Sequence, residues 1–234
     1  MNIGGIQRLT LLDYPGKLAC TVFTVGCNLR CPFCHNASLV THTNDAEEYS
    51  VSELMQYLQK RKGMLDGVCI SGGEPLLQSD IETVIRDIKA LGYSVKLDTN
   101  GTFPEKLGQL INCGLVDYVA MDVKNCEEKY AKTAGLESID ISKIKKSISI
   151  LMNSKIDFEF RTTVVNELHT PNDIKKLSMM ISGAKKYFIQ PFLYSPDLIC
   201  DGLSAVRTQD LVQMKQFSEL FVESVEIRGT DTTY

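Results

Sequence analysis

Short β-branched and aromatic runs alternate with amphipathic helical segments along most of the chain, and this alternation constrains the fold more than any single motif does. "KLACTVFTVGC" (17–27) lacks helical spacing and reads as a strand. "SVSELMQYLQKRK" offers Ser50 or Ser52 as an N-cap and places Leu54, Met55 and Leu58 on one helical face. The strand "GVCISGG" follows. Then come helix 78–91, strand "SVKLDTNG", helix 104–112, strand "DYVAMDVK", helix 139–153, strand "DFEFRTTVV", helix 171–182, strand "KYFIQPF", helix 207–219 and a last apolar stretch, "LFVESVEI". About six such βα units imply a mainly parallel sheet. Periodicity alone leaves a flat doubly wound sheet and a partial barrel both open, and in either one function sits at the carboxyl ends of the strands.

At 234 residues the chain is long enough for one domain with a sizeable core, expected as an N-terminal lead (1–16) and a βα core (17–228). The polar connections near 40–50 and 125–138 read as loops. Lys and Arg total 25 against 29 Asp and Glu, a net charge of -4, so no basic excess draws the chain to nucleic acid. The amino terminus has no signal-peptide pattern, and no apolar window approaches the roughly 20 residues that span a bilayer, so a cytoplasmic protein without membrane contact is expected. Of the eight cysteines, Cys20, Cys69, Cys113, Cys126 and Cys200 are scattered singly and read as buried structural thiols in a reducing compartment.

The other three stand in "CNLRCPFCHN", spaced C-x3-C-x2-C at Cys27, Cys31 and Cys34. Thiolates favour zinc, copper(I) and iron–sulfur clusters, and three on one short loop can converge on one centre. Structural zinc needs a fourth ligand, which His35 or His42 would have to supply; His35 directly follows Cys34, which makes ligation by both awkward. The alternative is a [4Fe-4S] cluster on three thiolates, with one iron open to a small molecule.

The proposed strands end in residues suited to ligands. Gly72 and Gly73 of "SGGEP" let backbone approach a ligand closely, and Glu74 suits an ammonium group. By themselves "SGGEP" and "LDTNG" also read as turns, Arg161 as a strand-end ion pair and Phe33 as packing beneath the cysteine loop.

"CNLRCPFC" together with "SGGEP" resembles the paired motifs of the radical S-adenosylmethionine enzymes. The expected fold is α/β, a partial (βα)6 TIM-like barrel with mainly parallel strands. The resemblance implies a [4Fe-4S] cluster held by Cys27, Cys31 and Cys34. It implies S-adenosylmethionine on the open iron, reductive cleavage, and a 5′-deoxyadenosyl radical that removes a hydrogen atom. It assigns the methionyl amine to the Gly72–Gly73–Glu74 turn and the adenine face to Phe33. "DTNG" and "DVK" resemble activating enzymes of glycyl-radical proteins, which carries contacts to the cofactor and a possible monovalent cation onto Asp98, Asn100, Asp122 and Lys124. Arg161 corresponds to an arginine that approaches the cofactor, and Gln190 to the adenosine end. No side-chain acid or base is expected, because the cofactors carry the chemistry.

The "DYPG" lead, "CHN" after the third cysteine and the terminal "VEIRG" resemble the activating proteins of anaerobic ribonucleoside-triphosphate reductase. The implied partner is a glycyl-radical enzyme, whose glycine loses the hydrogen atom, with a flavodoxin- or ferredoxin-type electron donor. The alternatives are activation of another such enzyme, for example pyruvate formate-lyase, radical chemistry on a small heterocycle, and a noncatalytic zinc or iron–sulfur module.

Overall fold

The computed structural model describes residues 1–41 and 49–229; His42 and most of the 40–50 connection lie outside the described residues. After β1 (Ile3–Thr10), the strands β2 (Ala19–Thr24), β3 (Gly67–Gly72), β4 (Ser94–Thr99), β5 (Tyr118–Asp122), β6 (Asp157–Val164), β7 (Lys186–Pro191) and β8 (Ser224–Ile227) pair parallel in chain order. The helices are α1 (Ala37–Thr41), α2 (Val51–Lys60), α3 (Ile81–Ala90), α4 (Pro104–Asn112), α5 (Glu127–Thr133), α6 (Ile141–Met152), α7 (Pro171–Met180) and α8 (Thr208–Ser218).

The strand order decides what periodicity left open. A doubly wound sheet reverses its order at a switch point, whereas here each parallel strand lies beside its predecessor and the order runs β1 to β8 without reversal. Right-handed crossovers put the connecting helices on one face and the sheet curls around its other face, while the short α1 sits at the mouth, where its Val40 lines the cavity. β1 and β8 remain its two edges among the described residues, so the barrel is partial.

Strand alternation separates the two faces chemically. Outward residues such as Val68, Ile70, Val95, Leu97 and Val119 join Leu54, Ile85, Leu107 and Ile144 of the helices in the main core. The inner face is polar above and closed below by a separate small cluster of Tyr14, Ala19 and Tyr118. Just above that plug, Glu159 is 1% exposed. It accepts hydrogen bonds from Tyr118 Oη at 2.7 Å and Arg228 at 3.0 Å, and the Arg228 guanidinium stacks 3.5 Å from the centre of the Phe188 ring.

Local signals set most helix ends. Ser50, not Ser52, caps α2: its hydroxyl accepts from Glu53 N–H while the Glu53 carboxylate accepts from Ser50 N–H, a reciprocal box. Thr170 and Asp173 repeat the device at α7, with Pro171 in the first turn. Three readings need correction. Part of the lead is a strand, β1, antiparallel to β2. The 125–138 connection contains α5. Cys113 and Cys200 are exposed rather than buried. Both overlooked elements are rich in Gly or charge, and tertiary pairing holds them more than their own patterning does.

Candidate radical-cofactor site

The cysteine loop leaves the carboxyl end of β2 and lies across the barrel mouth. Gly26, at φ +93°, turns the chain just before Cys27. The end of β3 presses against this turn backbone to backbone: Gly73 N–H donates to Thr24 O at 2.9 Å and Glu74 N–H to Gly26 O at 2.8 Å. A Cβ on Gly73 would stand 2.0 Å from Gly26 O, and one on Gly72 2.2 Å from Thr24 N. The paired glycines therefore satisfy a packing requirement of the protein itself. Asn36 Nδ2 donates to Gly72 O at 3.0 Å and closes the loop's far end.

Behind the loop, Arg30 N–H donates to Ala134 O at 2.9 Å, and Gly135 allows α5 to come so close that a Cβ there would stand 1.9 Å from Arg30 O. Phe33 packs edge-on to His169, ring centres 6.4 Å apart. His169 is nearly fully buried; its Nδ1 lies 3.0 Å from Val165 N–H and its Nε2 2.8 Å from Lys124 O. An Nδ1 that accepts fixes the proton on Nε2, which donates to Lys124 O. His169 is thus a brace between the β5 and β6 ends.

The mouth opens into a cavity of about 410 Å³ lined by Cys27, Cys31, Cys34, Phe33, Gly72, Gly73, Asp98, Asn100, Asp122, Lys124, Arg161 and Gln190. Of the described residues that the sequence assigned to the cluster or the cofactor, Glu74 alone is absent from this lining. It is completely buried, and its carboxylate accepts from Thr99 Oγ1 at 2.8 Å, Leu76 N–H at 3.0 Å and Asn100 N–H at 2.7 Å. Burial raises its pKa from 4.5 to about 7 against those hydrogen bonds. The carboxylate thus ties β3 to β4 and does not face the cavity as an ammonium ligand would. Asn100 likewise braces the loop, donating to Asn28 Oδ1 at 3.0 Å, with its Nδ2 3.8 Å from Cys27 Sγ.

One wall of the cavity is an alternating chain of charges. Asp98 pairs with Lys96 and with Arg161 Nη1 at 3.1 Å. Arg161 Nε reaches Asp122 at 3.0 Å, and the other Asp122 oxygen meets Lys124 at 3.0 Å. The register places Asp122 directly opposite Arg161, while Asp98 lies opposite Ala120, one inward position deeper. Burial opposes ionisation of Asp122, but Lys124 and Arg161 outweigh it and hold the carboxyl at about 2. Asp98 is held low by the same balance, with Arg161 and Lys96 as its cations. A monovalent cation near Asp98 and Asp122 would meet carboxylates already carrying three protein cations.

The three thiols suit an iron–sulfur cluster by donor type and number. Burial raises the pKa of each, that of Cys31 to about 11, while Lys124 opposes the shift; metal binding has to displace those protons. Among the described residues no three His, Cys, Asp or Glu side chains are grouped to hold a single ion. A cluster takes its thiolates on separate irons, and the three cysteines line one cavity. His35 also lines the cavity, but its Nε2 lies 2.8 Å from Leu193 O. The Tyr130 hydroxyl, on α5 with Cys31 and Lys124 as neighbours, is buried without a hydrogen-bond partner of good geometry.

Sequence reasoning missed several lining residues, among them Asp13, Ser71, Thr99 and Thr163. Alternation would have found Thr163, two residues beyond Arg161 on the same inward face, and also Lys96, which lies just beneath the cavity two residues before Asp98. Asp13 enters from below, accepting from Thr21 Oγ1 at 2.6 Å, and nothing local announces it.

The sequence pattern of the radical SAM superfamily matches residues 21–177. A protein of Methanocaldococcus jannaschii, provisionally named a glycyl-radical enzyme activating enzyme, is 31% identical over 99% of this chain and 98% of its own length. The pyruvate formate-lyase-activating enzyme of Staphylococcus epidermidis is 28% identical over 63% of each chain. Among solved structures, Streptococcus suis SuiB bound to its precursor peptide SuiA superposes with a TM-score of 0.63 at 14% identity, covering 88% of this chain and 47% of that one.

Proposed function

The chain belongs to the radical SAM superfamily, among its glycyl-radical enzyme activating enzymes, and from that premise we propose that its partner is anaerobic ribonucleoside-triphosphate reductase, whose glycine loses a hydrogen atom at the barrel mouth. The carrying observation is the single cavity that gathers three thiols, the close-packed Gly72–Gly73 turn and the Asp98–Arg161–Asp122–Lys124 wall. The family implies a [4Fe-4S] cluster and S-adenosylmethionine, and together these supply, when bound, the electron and the 5′-deoxyadenosyl radical.

The chain's own residues orient and enclose. Cys27, Cys31 and Cys34 would hold the cluster. The Gly72–Gly73 backbone and Asn100 would face the methionyl end, and the Arg161 guanidinium suits its carboxylate. Phe33, braced by His169, offers an apolar face for adenine, and Gln190 lines the same cavity from the end of β7. At Asp98 and Asp122 the reading assigns the cationic role to Lys96, Arg161 and Lys124; an added monovalent cation would compete with them. A flavodoxin- or ferredoxin-type protein is the proposed electron donor. The cytoplasm is the proposed location, in keeping with eight free thiols. Among the described residues no helix is long and apolar enough to cross a membrane.

The relatives named pyruvate formate-lyase-activating enzymes support a second reading, in which that enzyme is the partner. Anaerobic reconstitution, followed by mixing with each candidate in turn, separates the two. About four irons per chain and reductive release of 5′-deoxyadenosine are expected, with a glycine-centred doublet in electron spin resonance only with the reductase. A doublet only with pyruvate formate-lyase selects the second reading. Cleavage without a radical on either candidate rejects both partners.

A further inference from the structure

Lys96 is a lysine with 1% of its surface exposed, on the inner face of β4 and outside the cavity lining. A buried ammonium persists only where it is paired, because removing it from water is costly. Its partner is Asp98 Oδ1. The other Asp98 oxygen accepts from Arg161 Nη1 at 3.1 Å and Ser71 Oγ at 3.2 Å. Cys69 Sγ lies 3.7 Å from both Lys96 Nζ and Asp98 Oδ1. Burial and then Asp98 push that thiol above its ordinary range, so it is a neutral neighbour and cannot replace the ammonium.

Among the residues lining the cavity, the carboxylates Asp13, Asp98 and Asp122 outnumber the cations Lys124 and Arg161 by one, and Lys96, paired to Asp98 just beneath the lining, supplies the third cation. Without Lys96 the enclosure carries one uncompensated negative charge, concentrated on Asp98 Oδ1. Arg161 is the nearest cation able to answer it. It now divides its fork, Nη1 to Asp98 and Nε to Asp122. Turning both donors onto Asp98 would release Asp122 and displace the guanidinium from the cavity wall.

We propose that Lys96 is a positioning residue, a counter-cation built into the chain, which saturates Asp98 from below so that Arg161 stays bridged between Asp98 and Asp122. The chain thereby supplies covalently a charge that a small cation would otherwise have to bring. This deepens the reading of the cavity as the S-adenosylmethionine site and rests on it for its functional consequence.

Replacing the side chain by a small one leaves both a charge defect and a void, which a small monovalent cation fills and a bulky one cannot. The test uses Lys96→Ala and Lys96→Met in potassium, ammonium or tetramethylammonium chloride at equal ionic strength. The first measurement is the thermal midpoint of the chain without cluster. The wild type is expected to give the same midpoint in all three salts. Lys96→Ala should fall by on the order of 10 °C in tetramethylammonium and recover saturably with ammonium or potassium. Lys96→Met, which fills the void, should fall without recovering.

The second measurement is S-adenosylmethionine affinity of the cluster-loaded protein by equilibrium dialysis. Lys96→Ala should bind about tenfold more weakly in tetramethylammonium and regain affinity with ammonium, because Arg161 returns to its bridge. Equal recovery in all salts, or wild-type affinity for Lys96→Ala in tetramethylammonium, overturns the proposal. If Lys96→Ala does not fold in tetramethylammonium, folding on addition of ammonium supports the proposal and failure in every salt rejects it. A wild type that binds no S-adenosylmethionine defeats the functional reading while the thermal measurement still decides the counter-cation.

Discussion

Glu74→Gln isolates a buried carboxyl whose cost and pH dependence can both be worked out. The wild-type oxygens accept three hydrogen bonds, two on Oε1 and one, from Asn100 N–H, on Oε2. A glutamine keeps the Oε1 pair but turns its NH₂ toward Asn100 N–H and leaves that buried donor unpaired, a cost of about 1–3 kcal/mol. The pH dependence has a definite sign. Burial raises the folded pKa from 4.5 to about 7, so between these values the folded chain holds the proton more tightly than the unfolded one. Glu74's contribution is complete below 4.5 and is lost as pH rises to 7, a change of roughly 3 kcal/mol. Urea unfolding of both proteins from pH 5 to 8 measures the difference, in which every other titrating group cancels. Wild type should lead at pH 5, and the lead should shrink by about 2–3 kcal/mol by pH 8. A difference that is flat with pH would show that Glu74 ionises normally and refute the reasoning.

Three further outcomes follow from named contacts. Gly135→Ala drives a Cβ into Arg30 O, so reconstituted iron should fall by half or more while far-ultraviolet dichroism is unchanged, and full iron content would count against the close contact. Cys27→Ala, Cys31→Ala and Cys34→Ala should each lose the cluster's visible absorption, whereas the exposed Cys113→Ala should keep it; retained absorption strikes that residue from the ligand set. Arg228→Ala strands the Glu159 carboxylate inside the barrel, with an expected loss of about 3 kcal/mol in urea unfolding. A loss below about 1 kcal/mol would mean that water reaches Glu159.

Much of this architecture is local and was legible. The capping box at Ser50 and Glu53 and the Pro starts at Pro104 and Pro171 are made by residues within one turn of each other. The strand-end residues of the cavity were legible because a parallel αβ sheet must present them at one rim. β1 was not legible: "IGGIQRLT" carries two glycines and an exposed polar stretch, and pairing with β2 makes it a strand. The burial of Glu74 was not legible for a related reason. Its neighbours in sequence suggest an exposed turn, but Thr99 and Asn100, some 25 residues away, enclose it.

What the sequence determined by itself is the βα order and the three-thiol loop, because periodicity and ligand spacing are properties of neighbouring residues. What only the tertiary structure decided is how the inner face settles its charges. Lys96 and Asp98 are two residues apart, but Arg161 is 63 residues from Asp98 and 39 from Asp122. Only the closing curvature of the sheet brings these groups into contact away from water, where each charge must find its opposite.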